Sequence, residues 1–157
     1  MIDIDAFKRS LTTLLAEAFG VTDNPHGFFL DDGQAGLLGT IDKVDMITAN
    51  AALRPANETI ASHSGHLLCL LQYFVAFEQG QPPKMDWPGS WRFRNLDAAA
   101  WATLRADLRN NYNTLSALIQ ARAEWPEPAV SACMMLLAHV SYHVGEIKQI
   151  LTSLKRN

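Results

Sequence analysis

An apolar side chain recurs every three or four residues through four separate segments of the chain, and this repeat constrains the fold more than any other feature. In the last segment, one face carries Cys133, Leu136, Val140, His143, Ile147, Ile150 and Leu154. Such spacing is the period of an α-helix with a single apolar stripe. Because one stripe cannot be buried alone, the four helices are expected to pack around a shared core.

Local signals predict where the long helices begin and end. We predict these helices over residues 5–19, 58–79, 97 to about 124, and 129–154. Gly20 is expected to stop the first helix, while Asn57 and Asp97 are expected to cap the second and third.

The 22–55 segment between the first two long helices is irregular, with short helices predicted at 34–42 and 46–52. A connection of this length is usually functional or covers the core. No alternation typical of strands is present. The prediction is therefore all-α, an antiparallel four-helix bundle with a long connection between helices 1 and 2, built as a single domain over 1–157.

Charge and composition exclude several classes of protein. The net charge is −3, and no basic patch of the kind that binds nucleic acid is present. The N-terminus is acidic where a signal peptide would be basic, and no apolar run approaches the roughly 20 residues of a membrane span. We therefore expect a cytoplasmic protein whose two cysteines, Cys69 and Cys133, are buried free thiols.

Two pairs of histidines fall on the apolar faces of the second and fourth long helices. His63 and His66 form one pair, and His139 and His143 the other; at these spacings each pair shares a helix face. A buried imidazole needs partners for both ring nitrogens, and a metal ion satisfies one of them. Either pair alone also fits ordinary half-buried histidines, but two core-facing pairs favour a site for one divalent metal. His26, in a Gly/Pro loop, is expected to be exposed.

Weaker candidates lie one or two turns from these histidines. Glu146 could act as a general base or as an acceptor for a ligand's second nitrogen, or could be an ordinary exposed glutamate. Cys69 could be a fourth ligand or a small apolar core residue. Tyr73 is expected to be a core residue with its hydroxyl at an edge, or to line the pocket beside the metal.

Trp87 and Trp91 could roof a pocket at the end of the helices, anchor their loop, or lie in a subunit interface. The chain contains no Glu-x-x-His, which excludes a di-iron carboxylate centre of the kind found in other helical bundles.

Two stretches resemble the DinB/YfiT-like superfamily of metal-binding four-helix bundles. Residues 59–67 contain a histidine in the second helix, and residues 138–147 contain His139-x-x-x-His143-x-Gly145 near the C-terminus. The family shows the same motifs in the same order. Residues 97–108 also look like the family's third helix, so the similarity covers about residue 30 to the end.

The resemblance implies that His66, His139 and His143 hold the metal and that His63 lies beside them. It also implies zinc, nickel or another divalent ion with water in the open positions. Several members resemble enzymes that use a low-molecular-weight thiol, which the metal would activate as thiolate. Three imidazoles suit zinc, nickel, copper and iron alike, so the metal is not chosen by the sequence.

We therefore expect a metal-dependent enzyme, a thiol-dependent S-transferase or a hydrolase, that acts on a small-molecule substrate and forms a homodimer. The 22–55 connection and the loop with Trp87 and Trp91 would shape its pocket. One alternative is a non-catalytic metal- or ligand-binding module in stress response. Another is a structural bundle whose histidines are only core polar residues.

Overall fold

Helices account for nearly all the regular structure in the computed structural model, which describes residues 3–22, 26–30, 35–54, 58–81 and 83–156. The helices are α1 Ile4–Phe19, α2 Leu37–Ile41, α3 Met46–Asn50, α4 Ile60–Glu78, α5 Ala98–Ala121 and α6 Glu127–Leu154, with a 3₁₀ turn at Pro88–Trp91. No strand occurs within the described ranges. The all-α prediction is confirmed, and the four long helices lie where the apolar repeat predicts them.

The helix ends agree with the prediction at two places. Gly20 ends α1 in the left-handed conformation (φ 75°) that glycine adopts without steric cost. Asp97 caps α5, its carboxylate accepting the backbone N–H of Ala100 at 2.7 Å.

The predicted start of α4 is wrong. Its cap is Thr59, whose hydroxyl accepts the N–H of Ser62 at 3.1 Å while the Ser62 hydroxyl accepts the N–H of Thr59 at 2.8 Å. This reciprocal pair satisfies two backbone donors at once. Asn57, the predicted cap, lies outside the described residues. Helix α6 begins two residues earlier than predicted because Pro128 is tolerated in the first turn of a helix.

Each long helix packs against two of the others: α4 against α5 and α6, and α1 against α5 and α6. The largest fully buried side chains come from several elements and include Phe19, Leu37, Phe74, Leu108, Ile119 and Leu136. One continuous apolar core therefore spans the described residues, and burial of this core is the main stabilising contribution to such a fold.

Helix α4 qualifies the expectation that no apolar run approaches the length of a membrane span. By length and composition alone, Ile60–Glu78 is apolar enough to cross a membrane. However, 67% of its most apolar window is buried inside the structure. The helix is apolar on most of its surface because it contacts α3, α5, α6 and the 3₁₀ turn.

The connection between α1 and α4 is held to the helices by specific polar contacts. The Glu17 carboxylate, buried near the end of α1, accepts the backbone N–H groups of Phe28, Phe29 and Leu30 at 2.8–2.9 Å. Further along, the Trp101 indole donates to the carbonyl of Val44 at 2.9 Å.

Ionisation of Glu17 is favoured by these contacts. Burial raises the pKa of its carboxyl, but the three backbone N–H groups lower it more, and the net pKa lies below the ordinary value of 4.5. The folded state therefore binds a proton less readily here than the unfolded chain. The stabilisation from Glu17 is present above pH 4.5 and is lost as the pH falls through the lowered folded pKa.

Replacing Glu17 with glutamine is expected to destabilise the protein by about 1–3 kcal/mol at pH 7. The –NH₂ group of glutamine cannot accept a hydrogen bond, so at least one backbone N–H loses its acceptor. Urea unfolding of Glu17→Gln beside the wild type measures this difference, with Glu124→Gln, at an exposed position, as the control. The difference should shrink as the pH is lowered from 7 to 3. A difference that is absent at pH 7, or that is unchanged at pH 3, would contradict this assignment.

Candidate metal centre

Three imidazole nitrogens from two helices meet at one point inside the fold. The Nε2 atom of His139 lies 2.9 Å from Nε2 of His66 and 3.0 Å from Nε2 of His143. Among the described residues, these three histidines offer ligand atoms that all lie within 4.8 Å of one another and could hold a metal ion. They are the three residues predicted from the sequence as ligands.

The helices position these rings as the spacing predicted. His139 and His143 lie one turn apart on α6, and His66 projects from the first half of α4, which packs against α6. His66 and His143 are buried, with 4% and 2% of their surfaces exposed, while His139 is half-buried. His63 is also buried, but its Nδ1 contacts Nδ1 of His143 at 2.9 Å, outside the group of three.

A serine that the sequence reasoning missed fixes the proton on His66. The Ser90 hydroxyl donates its hydrogen to the carbonyl of Trp87 at 2.6 Å, so its oxygen can only accept from Nδ1–H of His66, also at 2.6 Å. His66 must then carry its proton on Nδ1 and keep a lone pair on Nε2. This is the tautomer that a metal ligand needs, with the second nitrogen held by an acceptor.

The loop that carries Ser90 is fixed to α4 at several points. Gly65 leaves room for Phe93, because a Cβ on residue 65 would lie 2.1 Å from the Phe93 ring. Arg94 forms an ion pair with Glu58 just before α4.

At the end of this loop, the Asn50 side chain donates to the carbonyl of Leu96 at 2.8 Å and accepts its N–H at 3.0 Å. Residues 93–96 are thereby held against α3 and the start of α4. This attachment keeps the 3₁₀ turn, and with it Ser90, over the histidines.

Trp91 covers the histidine cluster. Its ring stacks on His66, with centroids 4.2 Å apart and planes within 12°, and meets His63 and His143 edge-on at 5.2 and 5.7 Å. Trp87 lies farther out, 5.9 Å from His66, and is 42% exposed. Both tryptophans therefore lie against the histidines, and their role as the roof of a pocket stays a prediction.

The buried environment keeps the imidazoles neutral. Burial, together with the smaller effect of the neighbouring imidazoles, lowers the pKa of His66 to about 4 and that of His143 to about 3. Burial also lowers the pKa of His139. At neutral pH the three rings therefore offer lone pairs rather than positive charge, as metal binding requires.

The geometry fits a small divalent cation. A tetrahedral ion with metal–nitrogen bonds of about 2.0–2.1 Å holds its ligand nitrogens roughly 3.3 Å apart. The two spacings from His139 are a few tenths of an ångström shorter, and all three ligand atoms lie within 4.8 Å of one another. Because Ser90 leaves His66 with a lone pair on Nε2, without a metal ion a single proton on Nε2 of His139 would have to be shared between His66 and His143. A cation at their centre satisfies all three, and the partly exposed His139 leaves one side open to solvent.

The weaker candidates lie around this centre rather than in it. The Cys69 thiol is half-buried and its pKa is raised by burial. Cys69 lines a pocket of about 180 Å³ together with Tyr73 and Arg92, and the Tyr73 ring lies 6.4 Å from that of Trp87. Neither Cys69 nor Glu146 belongs to the group of mutually close ligand atoms.

The free-thiol prediction is confirmed for both cysteines, but only Cys133 is fully buried. Burial raises the pKa of the Cys133 thiol to about 11. His26 is exposed, as predicted. A larger cavity, of about 660 Å³, lies away from the histidines between α2, α3 and the last turns of α6.

Comparison with protein-family models, curated proteins and solved structures finds no match to this chain. The DinB/YfiT-like resemblance therefore stays a prediction that rests on the histidine motifs. The cytoplasmic location and the homodimer likewise stay predictions.

Ser90→Ala is expected to weaken binding of zinc by about 10- to 100-fold, since it removes the acceptor that holds the Nδ1 proton of His66. Competition with a chromogenic chelator measures the affinity. Ser141→Ala is the matched control, because that hydroxyl bonds to the carbonyl of Leu137 within α6. Equal zinc affinities for Ser90→Ala and Ser141→Ala would contradict the role of Ser90.

Proposed function

We propose that this protein is a divalent-metal-dependent enzyme, of the thiol-dependent S-transferase or hydrolase type, in which His66, His139 and His143 hold one metal ion. The observation that carries the proposal is the meeting of three Nε2 atoms at spacings of 2.9 and 3.0 Å. Buried neutral imidazoles without a cation would leave lone pairs facing one another at a cost in free energy. A ligand function explains why three histidines occupy these positions.

Zinc or nickel is the ion that we propose. Three neutral imidazoles with an open position are typical of catalytic zinc sites, and imidazole also suits nickel. When bound in such a site, the ion acts as a Lewis acid that converts a thiol or a water into a nucleophile at neutral pH.

The chain's own residues would supply access and orientation. Because His66 and His143 are buried and His139 is half-buried, a small molecule would approach from the side of His139. Two exposed aromatic rings flank the centre: Trp87 beside His66, and Tyr142, 61% exposed, with its ring 4.9 Å from that of His143. Exposed aromatic surface beside a polar centre suits a substrate or thiol with an apolar part.

One observation favours a second candidate, a non-catalytic module that binds a metal or ligand. The three histidines form the group of close ligand atoms without any carboxylate among the described residues. The charge of Glu146 acts on His63. If no carboxylate acts as a general base, catalysis would rest on the ion and on groups of the substrate.

We also propose that the four long helices form an antiparallel bundle, as the resemblance implies. The support is that α1 and α4 each pack against both α5 and α6, the pairing expected when four helices surround one core.

Cobalt-loaded protein without a histidine tag tests the enzyme proposal. Addition of 2-mercaptoethanol or glutathione is expected to produce a sulfur-to-cobalt charge-transfer band. Turnover is then assayed with these thiols and 1-chloro-2,4-dinitrobenzene, or with p-nitrophenyl acetate alone for hydrolysis. The wild type should show metal-dependent turnover in one assay, and His139→Ala/His143→Ala should fall to the rate of the metal-free protein.

The control for that experiment is Ser141→Ala, which leaves the three ligands in place and should behave like the wild type. Stoichiometric cobalt binding without turnover in either assay would contradict the enzyme proposal and favour the binding module.

A further inference from the structure

His63 and His143 are joined by a hydrogen bond between their two Nδ1 atoms, and this bond contains a single hydrogen. Their Nδ1 atoms lie 2.9 Å apart, and both side chains are buried, with 6% and 2% of their surfaces exposed. Between two neutral imidazoles at this distance, one Nδ1 must carry the hydrogen and the other must accept it. Whichever ring donates from Nδ1 keeps a lone pair on its own Nε2.

The direction of this hydrogen bond decides whether His143 can bind a metal. If His63 donated, Nδ1 of His143 would be the acceptor and its proton would lie on Nε2. That Nε2 is the atom 3.0 Å from Nε2 of His139, so a proton there would block coordination. If His143 donates, its Nε2 lone pair faces the same point as those of His66 and His139.

We propose that His63 accepts the Nδ1–H of His143 and is a positioning residue that sets the tautomer and ring orientation of this ligand. The inference rests on the proposed metal function. His143 donates in this arrangement, and the proton of His63 lies on Nε2, the far side of its ring.

The arrangement gives each buried ligand its own acceptor. Ser90 serves His66 and His63 serves His143, and both acceptors contact Nδ1 of the ligand so that Nε2 is left for the metal. His63 and His66 lie three residues apart on α4, so a single helix face supplies a ligand and the acceptor for another ligand. Trp91 lies edge-on to the His63 ring, with planes at 84°, and restricts its rotation.

Two substitutions at residue 63 separate an acceptor role from simple packing. In His63→Asn the amide oxygen can occupy the place of Nδ1 and still accept, whereas in His63→Leu no acceptor remains. Zinc affinity by chelator competition is expected to fall about 10- to 100-fold in His63→Leu. It should return to within about threefold of the wild type in His63→Asn. Equal losses in both variants would overturn the inference, since packing alone would then explain them.

The wild type provides a test that does not depend on the folding of any variant. In zinc-loaded protein labelled with ¹⁵N, the imidazole nitrogen shifts report which ring nitrogens carry hydrogen. The expected pattern is a protonated Nδ1 and metal-bound Nε2 for His143, with an unprotonated Nδ1 for His63. A protonated Nδ1 on His63 would overturn the inference.

Failure of the proposed function gives a different result from failure of this inference. If the wild type binds no zinc, the metal proposal fails, whatever residue 63 is. If the wild type binds zinc and His63→Leu binds it equally well, only the role of His63 fails. Urea unfolding of the metal-free variants measures any general loss of stability separately.

Discussion

The meeting of three imidazole nitrogens is the interaction on which the rest of this site depends. His66, His139 and His143 bring Nε2 atoms to within 3.0 Å in successive pairs. Polar groups this well buried cost free energy unless each finds a partner. The Ser90 hydroxyl fixes the tautomer of His66 by accepting the hydrogen on Nδ1. The Nε2 atoms of the three histidines then converge on one point. A cation bound there would interact with the lone pairs of all three rings.

The surrounding structure keeps that arrangement in place through contacts that are mostly remote in sequence. The loop with Ser90 and Trp91 is held by the ring of Phe93 over Gly65 and by the paired hydrogen bonds of Asn50 with Leu96. Rigid support of this kind limits how far ligands can move, and it distinguishes a preorganised site from histidines that are merely near one another. The same loop supplies the aromatic surface at the entrance.

Local periodicity predicted the long helices and the two histidine pairs, whereas the choice of His66 over His63 as the third ligand came from the family resemblance. Apolar residues every three or four positions place a helix, and histidines at i and i+4 within the stripe place two rings on one face. Ser90 could not be found this way, since its contact with His66 depends on how a Pro/Gly loop folds back. A possible signal was the Trp87-Pro88-Gly89-Ser90-Trp91 turn, where one polar side chain lies between two tryptophans. His63 was expected beside the ligands, but its contact with Nδ1 of His143 could not be predicted, because the two residues are 80 positions apart in the chain.

Elemental analysis of tag-free protein tests the central claim most directly, with the wild type beside His139→Ala/His143→Ala. Both proteins are loaded with zinc or nickel and then freed of loosely bound metal. The account predicts about one divalent ion per wild-type chain, the stoichiometry of a site with three histidine ligands, and almost none in the double variant. A wild type that retains no ion, or a double variant that retains as much as the wild type, would contradict it.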